Sequence, residues 1–384
     1  MSDFAFETTP KILCQQGGAA RLHELVASRG AQRVFVVTDR GLLDAGVAGG
    51  VVNALEQAGL DVAVFPDVLA DPPEHKVLEA VEAARAARAE FVIGLGGGSS
   101  MDTAKLVALL ARTPQPLDAI YGIGLAKGPR LPLVQVPTTA GTGSEVTPIS
   151  IVTTPGLEKK GVVSPLLYPD AAVLDSTLTL GLPPAVTAMT GVDAMVHAIE
   201  AYTSRLKKNP LSDTFAVKAL QLLYRNIGSA VADGKDPAVR ERMLLGSLMA
   251  GIAFANAPVG AVHALAYPLG GHYHLPHGLT NSLMLGPTLR FNLRDAAPLY
   301  AELGRAILPE TAGLAPDAAA QAFVEAICAT VRTMPYAQTL REAGVAQDDL
   351  PMLARDAMNV QRLLVNNPRE VALDDALALY REAY

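Results

Sequence analysis

The side chains with the clearest chemical potential are an aspartate and a histidine in the second half of the chain. Asp193 and His197 are four residues apart in a segment predicted to be helical, so both side chains lie on one face of that helix. Their neighbours are apolar, which points the pair into the protein. There, a carboxylate beside an imidazole is costly unless a metal ion or a partner charge accompanies it. The pair alone also fits a structural ion pair.

Two further histidines extend this pair to a set of metal ligands. The chain has seven histidines; His263 lies in a segment of small uncharged residues, and His277 directly precedes an apolar run. Three imidazoles and one carboxylate suit a borderline divalent cation such as Fe²⁺ or Zn²⁺. The sequence therefore predicts a metal site formed by Asp193, His197, His263 and His277.

Three polar side chains close to this set are not expected to be ligands. His272 and His274 follow directly after a Gly-Gly turn, and we expect them at the surface or beside the site. Glu200 follows His197 by three residues, and we expect it to pair with a neighbouring helix or to support a ligand.

A glycine-rich segment in the first half of the chain is suited to binding phosphate. Residues 94–105 read GLGGGSSMDTAK and lie between a predicted strand and a predicted helix. The glycines allow a ligand to approach the backbone, and the N–H groups and dipole of the helix favour an anion there. The segment lacks the GxGxxG spacing of the Rossmann fingerprint. By itself it also fits a tight turn capped by Ser99 or Ser100.

Asp39 ends the first convincing strand, in VVTDRGL. A carboxylate at this place can accept hydrogen bonds from adenosine ribose hydroxyls and repels a 2′-phosphate, which favours NAD over NADP. Arg40 beside it keeps NADP open, and an aspartate that merely caps a turn is the alternative. A second loop, PTTAGTGSEVT at 137–147, follows another short strand and offers hydroxyl donors to phosphate or nicotinamide.

Elements of two kinds position these segments. Apolar β-branched runs predict strands at 33–38, 61–65, 91–95 and 131–136, with helices at 49–58, 73–89 and 101–112. Such alternation is typical of a mainly parallel sheet covered by helices. Beyond about residue 180 the patterns predict only helices, at 187–204, 211–228, 238–256, 316–334 and 370–382. We therefore predict an α/β dinucleotide-binding domain over 1–180 and an all-α metal-binding domain over 181–384.

Composition excludes several classes of protein. The net charge is −7 and Lys and Arg are scattered, so no nucleic-acid partner is expected. Residues 243–289 carry no Asp, Glu, Lys or Arg, but prolines, asparagines and histidines interrupt them, which indicates buried helices rather than a membrane span. The two cysteines do not form a metal-binding pattern, and the first residues do not resemble a signal peptide. We expect reduced thiols and a cytoplasmic location.

Five motifs in order give the sequence a specific resemblance. They are GLGGGSSMDTAK (94–105), PTTAGTGSE (137–145), GVDAMVHAIEAY (191–202), GAVHALAYPLGG (260–271) and HLPHGLTNSLML (274–285). Over nearly its whole length, the chain resembles the iron-containing (group III) alcohol dehydrogenases, whose fold is shared with dehydroquinate synthase. The resemblance implies hydride transfer between NAD(P) and a small alcohol or aldehyde at an iron site, in a homo-oligomer such as a dimer.

The resemblance also implies roles for individual residues. It implies that Asp193, His197, His263 and His277 bind the metal. It implies diphosphate contacts from Gly97, Gly98, Ser99 and Asp102, and a cofactor site lined by Thr138, Thr139, Thr142 and Lys160. Phe254 matches an aromatic wall near the substrate. With His277 and Phe254, Tyr267 completes the predicted catalytic centre.

The chain also departs from the family pattern at positions that bear on the predicted site. Tyr267 stands where some members have a histidine proposed to relay protons, so Tyr267 is expected to be a wall of the site or an alternative relay. Ile149 is apolar where some diol-specific members carry a polar residue, which implies a less polar site.

Other reactions remain open at the level of sequence. A metal-independent, maleylacetate-reductase-like enzyme has related motifs, but the four intact ligand positions argue against it. A dehydroquinate-synthase-like lyase would need basic residues around its phosphorylated substrate, and the metal region has almost none. A non-heme iron oxygenase would leave the glycine-rich and threonine-rich loops unexplained. A non-catalytic metal-binding protein is the last alternative, which bound nucleotide or turnover would exclude.

Overall fold

The computed structural model describes residues 3–156 and 158–384. Its strands are β1 (Ile12–Cys14), β2 (Arg33–Val37), β3 (Asp61–Phe65), β4 (Phe91–Gly96), β5 (Gly122–Ile123), β6 (Leu133–Pro137), β7 (Ile149–Thr153), β8 (Lys159–Val163) and β9 (Ala171–Leu174).

Helices surround and follow these strands. They are α1 (Leu22–Ala27), α2 (Arg40–Asp44), α3 (Val47–Gln57), α4 (Glu74–Ala86), α5 (Gly98–Arg112), α6 (Pro184–Thr203), α7 (Pro210–Ala232), α8 (Pro237–Asn256), α9 (Ala261–Tyr273), α10 (His277–Ile307), α11 (Pro316–Arg332), α12 (Leu350–Met358), α13 (Gln361–Leu364) and α14 (Leu373–Ala383). The predicted architecture, a parallel sheet with helices followed by a helical region, is confirmed.

The main sheet of the described chain has six parallel strands in the order β1-β9-β6-β4-β2-β3. Its central strands are buried on both faces, which is why 34–37 read as an unbroken apolar run. Val34 and Val36 pack into one apolar cluster with α1 and α3, while Phe35 and Val37 pack into another with α4 and α5. The period-two alternation of side chains thus supplies a core on each side of the sheet.

The strand order creates a switch point next to β2. From β2 the chain proceeds to β3 on one side, then returns to form β4 on the other side of β2. In open parallel sheets, ligands bind beyond the carboxyl ends of the strands at such a point. Asp39 follows β2, the glycine loop follows β4, and the threonine-rich loop follows β6, so all three lie beyond that edge of the sheet.

A small second sheet lies after the threonine-rich loop. β8 pairs parallel with β5 and antiparallel with β7. Its hydrogen bonds hold the segment between β6 and β9, which the sequence patterns left without a predicted strand.

Contacts divide the chain into two compact units. One comprises Thr8–Gly181; the other comprises Leu182–Tyr384 together with the described residues up to Glu7. The N-terminal segment joins the helical unit because the Asn256 side chain exchanges hydrogen bonds of 2.9 Å with both the N–H and the carbonyl of Glu7. Within the described residues, no single helix is long and apolar enough to cross a membrane. The pair α8 and α9 reaches that length and composition only jointly, across a bend of 104°.

The helical unit depends on close approach of α10 to α6. A Cβ built on Gly278, the second residue of α10, would lie 2.5 Å from the carbonyl oxygen of Met189 in α6. A backbone oxygen cannot move aside as a flexible side chain can. Gly278 therefore permits the packing that brings His277 towards α6.

We expect Gly278→Ala to lower the free energy of unfolding by about 1–3 kcal/mol, since overpacking displaces backbone. Gly49→Ala in α3 is the matched control: its Cβ meets nothing within 4 Å, and replacing a helical glycine stabilises by about 0.5–1 kcal/mol. Chemical denaturation of both variants measures the difference. Equal stability of the two would contradict the proposed contact.

Candidate functional site

Helix α6 supplies the first two candidate ligands. Pro184 at its start suits the first turn of a helix, where its missing N–H is not needed. Asp193 and His197 follow one helical turn apart and are 2% and 4% exposed. The carboxylate oxygen Oδ1 of Asp193 lies 3.9 Å from Nε2 of His197. The helix thus places both side chains on one face, as their spacing of four residues predicts.

Helices α9 and α10 bring the other two. His263 is the third residue of α9, and its Nε2 lies 3.0 Å from Nε2 of His197 and 4.0 Å from Oδ1 of Asp193. His277 is the first residue of α10, with its Nε2 3.7 Å from the same carboxylate oxygen. One ligand atom from each of the four residues lies within 4.8 Å of all the others.

These separations fit a divalent cation. Metal–ligand distances of about 2.0–2.2 Å in a tetrahedral site put neighbouring ligand atoms about 3.4 Å apart. Four of the six distances between the donor atoms are 3.0 to 4.0 Å and bracket that value, and all six are within 4.8 Å. Three of the four side chains are buried, whereas the His277 side chain is 30% exposed, which leaves one side of the group accessible. The donor set and its spacing therefore suit Fe²⁺ or Zn²⁺.

The electrostatic balance of the group favours an ionised aspartate. Burial acts to raise the pKa of Asp193, but the three imidazoles and a hydrogen bond from Asn281 outweigh it, so the pKa is lowered. A carboxylate that stays negative in the interior is the form that a cation binds.

Asn281 is a member of this site that sequence reasoning missed. Its amide nitrogen lies 2.6 Å from Oδ1 of Asp193 and 3.1 Å from Nε2 of both His263 and His277. Its amide oxygen is buried without a hydrogen-bond partner in the structure. The signal was present, because Asn281 is four residues after His277 and thus shares its helix face.

Two aromatic rings flank the ligands. Phe254 stacks on the His197 ring, with centroids 4.4 Å apart and planes 26° apart. The Tyr267 ring lies 6.3 Å from that of His277, and its hydroxyl accepts a hydrogen bond of 3.5 Å from Arg362. The structure thus brings both predicted catalytic-centre aromatics beside the histidines.

The remaining histidines of this region lie elsewhere. His272 is paired with Asp356 at 2.7 Å on an exposed part of the surface. His274 is the C-cap residue of α9 and has the left-handed backbone conformation, with φ 53°. Glu200, by contrast, is buried against His263, with Oε2 2.6 Å from Nδ1.

In the α/β unit, the glycine loop and the threonine-rich loop pack together. A Cβ on Gly98 would lie 2.8 Å from the Thr142 side chain, and one on Gly97 would lie 3.6 Å from Thr139. Thr138 is buried and its N–H donates to the carbonyl of Gly96. Gly97 is the N-cap residue of the fifteen-residue helix α5, so backbone N–H groups at this loop are available to an anion.

Asp102 and Lys105 of α5 anchor the threonine-rich loop from within. The Asp102 carboxylate accepts from Ser144 Oγ at 2.6 Å and from the Ile151 N–H at 2.8 Å. Lys105 is fully buried and donates to Ser144 Oγ, Thr147 Oγ1 and the Ile149 carbonyl. Burial lowers the pKa of Lys105 although Asp102 acts to raise it. Both oxygens of Asp102 are thus engaged inside the protein, and its diphosphate contact stays a prediction.

Ser99, Asp39 and Lys160 have different surroundings. Ser99 Oγ accepts from the Asp71 N–H at 3.2 Å, and Asp71 also pairs with Lys159 at 2.7 Å. Asp39 caps α2 by accepting from the Leu42 N–H at 3.1 Å. Lys160 is exposed on β8 and pairs with Glu158 at 3.3 Å. Their predicted contacts with a cofactor stay predictions.

Comparison with known proteins decides the family. Residues 9–176 match the family described as iron-containing alcohol dehydrogenase, and residues 187–384 match the C-terminal part of the Fe-containing alcohol dehydrogenase family. The chain belongs to the iron-containing alcohol dehydrogenase family. The resemblance inferred from the five motifs is confirmed.

Individual relatives extend over the whole chain. A sulfoacetaldehyde reductase of Bilophila wadsworthia is 36% identical over 379 residues, with 98% of each chain covered. A crystal structure of a 1,3-propanediol oxidoreductase has a TM-score of 0.95 at 33% identity and covers 100% of both chains. A sulfoacetaldehyde reductase of Bifidobacterium kashiwanohense in complex with NAD⁺ has a TM-score of 0.87 at 29% identity, covering 100% and 99%. The chain is an oxidoreductase of the same family of alcohol dehydrogenases and aldehyde reductases.

We expect His263→Ala to weaken Zn²⁺ binding by more than about 100-fold, because loss of an outer partner of a ligand alone costs about 10- to 100-fold. Zinc titration of metal-stripped protein measures this. His75→Ala, on the exposed face of α4, is the control and should bind as the parent does. Unchanged binding by the His263 variant would exclude this residue as a ligand.

Proposed function

We propose that this protein is an NAD-linked, metal-dependent reductase of small aldehydes that also oxidises the corresponding alcohols. The observation that carries the proposal is the convergence of the donor atoms of Asp193, His197, His263 and His277 within 4.8 Å, open on one side. A structural ion pair would need neither four donors nor an accessible side.

The residues divide the chemistry among them. When bound, a divalent cation polarises the oxygen of a carbonyl or alcohol, and nicotinamide gives or takes the hydride. Asp193 and the three imidazoles would hold the cation. Phe254, stacked on His197, would exclude water from that side and confine the substrate.

Tyr267 is our candidate for moving the proton. Its ring lies beside His277, on the accessible side of the group, and Arg362 donates to its hydroxyl oxygen. A tyrosine hydroxyl can both donate and accept a hydrogen bond, so it can take part in a proton relay in the place where some family members have a histidine.

The α/β unit supports a dinucleotide in this proposal. The N–H groups at the start of α5 and the hydroxyls of Thr138, Thr139 and Thr142 would bind the diphosphate and nicotinamide portions. Asp39, beyond the carboxyl end of β2, would accept from the ribose hydroxyls. Arg40 beside it is paired with Asp67 at 2.9 Å, which occupies part of its guanidinium group.

The substrate that we propose is small and uncharged. Residues 243–289, which include Phe254, His263, Tyr267 and His277, contain no charged side chain of Asp, Glu, Lys or Arg. A phosphorylated or dicarboxylate substrate would lack a counter-charge from this segment. The names of the relatives support the small size alone: 1,3-propanediol is small and uncharged, whereas sulfoacetaldehyde is small but carries a sulfonate.

We also propose a cytoplasmic homo-oligomer. Cys14 and Cys328 are not bonded to each other, which fits a reducing compartment. A charged fraction of 18% leaves more of the surface available for association than in a highly charged chain. Light scattering coupled to size exclusion measures the oligomeric state.

The decisive assay is NADH oxidation by chelator-stripped protein, with and without added Fe²⁺ or Zn²⁺. We expect turnover of short uncharged aldehydes only when a cation is added, and slower turnover of anionic aldehydes such as sulfoacetaldehyde. Equal turnover without a cation would instead support the metal-independent, maleylacetate-reductase-like reaction. The absence of turnover in both conditions would refute the reductase proposal.

The cofactor preference is tested by Asp39→Asn, which removes the negative charge but keeps a good N-cap for α2. We expect the KM for NADPH to fall by about 10-fold, equivalent to about 1.4 kcal/mol of binding. Asp44→Asn, an exposed residue of the same helix, is the charge-matched control and should leave the ratio of the two cofactors unchanged. An unchanged KM in the Asp39 variant would exclude this residue from the ribose site.

A further inference from the structure

Glu200 is a buried carboxylate that contacts a candidate ligand without being one of the four. It lies on α6, is 7% exposed, and its two oxygens have separate partners on α9. Oε2 is 2.6 Å from Nδ1 of His263, and Oε1 accepts from the Val262 N–H at 2.7 Å. One carboxylate thus binds both a backbone N–H and an imidazole of α9.

The first contact determines which nitrogen of His263 faces the other ligands. A carboxylate at 2.6 Å from Nδ1 accepts a hydrogen bond, so the ring proton belongs on Nδ1. Nε2, which lies 3.0 Å from Nε2 of His197, then presents its lone pair to the ligand group. A metal-binding imidazole needs this tautomer, and an acceptor at its other nitrogen also fixes the orientation of the ring.

The second contact holds the start of α9. A helix begins with N–H groups that have no partner within the helix, and the N-cap residue Gly260 has no side chain to accept from them. Glu200 accepts from Val262 in its place, from a different helix. The carboxylate therefore links α6, which carries Asp193 and His197, to the turn of α9 that carries His263.

We propose that Glu200 is a positioning residue of the metal centre: it holds His263 in the metal-binding tautomer and at the correct distance from α6, so that its loss weakens cation binding. This inference rests on the proposed function, because it assumes that the four donors hold a divalent cation.

Glutamine at this position cannot reproduce both contacts. Its one carbonyl oxygen can accept either from Val262 or from His263, and the NH₂ group then faces the other. If the NH₂ group faces Nδ1, the imidazole must accept there and carry its proton on Nε2. If it faces Val262, two donors oppose each other. Aspartate, by contrast, keeps two acceptor oxygens and only shortens the side chain.

The experiment compares Zn²⁺ affinity in metal-stripped parent, Glu200→Gln, Glu200→Asp and Glu145→Gln proteins, by competition with a chromophoric chelator. Glu145 is a matched control because it is also buried, at 1% exposure, but lies in the α/β unit. We expect Glu200→Gln to bind about 10- to 100-fold more weakly, with partial recovery in Glu200→Asp and parental affinity in Glu145→Gln. The visible absorption of bound Co²⁺ should also change in Glu200→Gln, because the position and hydrogen bonding of the His263 ring change.

Two results have distinct meanings. Zinc affinity of Glu200→Gln within about threefold of the parent, with an unchanged Co²⁺ spectrum, would overturn the positioning role. Failure of the parent itself to bind Zn²⁺ or Co²⁺ would overturn the metal centre of the proposed function instead. If Glu200→Gln does not fold, the ring ¹⁵N chemical shifts of His263 in the metal-stripped parent decide the question, since a neutral ring that carries its proton on Nε2 rather than Nδ1 would overturn the role.

Discussion

The helical unit is organised around the cost of burying a carboxylate. Asp193 is almost inaccessible, and burial opposes its ionised form; three imidazoles and the Asn281 amide compensate. That compensation requires side chains from three helices to converge within a few ångströms. The turns that begin α9 and α10, and the absence of a side chain at Gly278, are consequences of this requirement. If one of these helices were misplaced, the buried carboxylate would lose its partners, so the packing of the helices determines whether the candidate site forms.

In the α/β unit, the corresponding constraint is the narrow space between two loops rather than the burial of a charge. Gly98 lies so close to Thr142 that a Cβ there, at 2.8 Å from the Thr142 side chain, would push the two loops apart, whereas a Cβ on Gly97 would make an ordinary contact with Thr139. Lys105 holds the second loop from within, because its buried side-chain nitrogen binds the hydroxyls of Ser144 and Thr147 and the carbonyl of Ile149 at the start of β7. The polar groups inside the protein therefore determine the loop shape, while backbone N–H groups remain for a ligand.

Much of this was readable from sequence, and the limits have physical causes. The strands at 33–37, 61–65 and 91–96 and helix α6 follow from local periodicity, and one helix face suffices to pair Asp193 with His197. By contrast, β1, β5 and β9 are only two to four residues long, and each pairs with a strand that is distant in the sequence. The contacts of Asn281 and Glu200 likewise arise only when α6, α9 and α10 pack, so residue types could suggest their nearness but not which atoms meet. The sequence pattern predicts a helix that begins at residue 370, whereas α14 begins three residues later, at Leu373.

The four donors are not equally accessible, and this asymmetry has a structural origin. Asp193, His197 and His263 are at most 4% exposed, and each has further contacts from the helical unit: Asn281, Phe254 and Glu200. His277 is the first residue of α10, so no preceding helical turn covers it, and its side chain is 30% exposed. Three donors are therefore held in place while the fourth borders solvent. A site that must admit a small molecule needs that combination, since rigidity on all sides would exclude the substrate and mobility on all sides would not hold a cation.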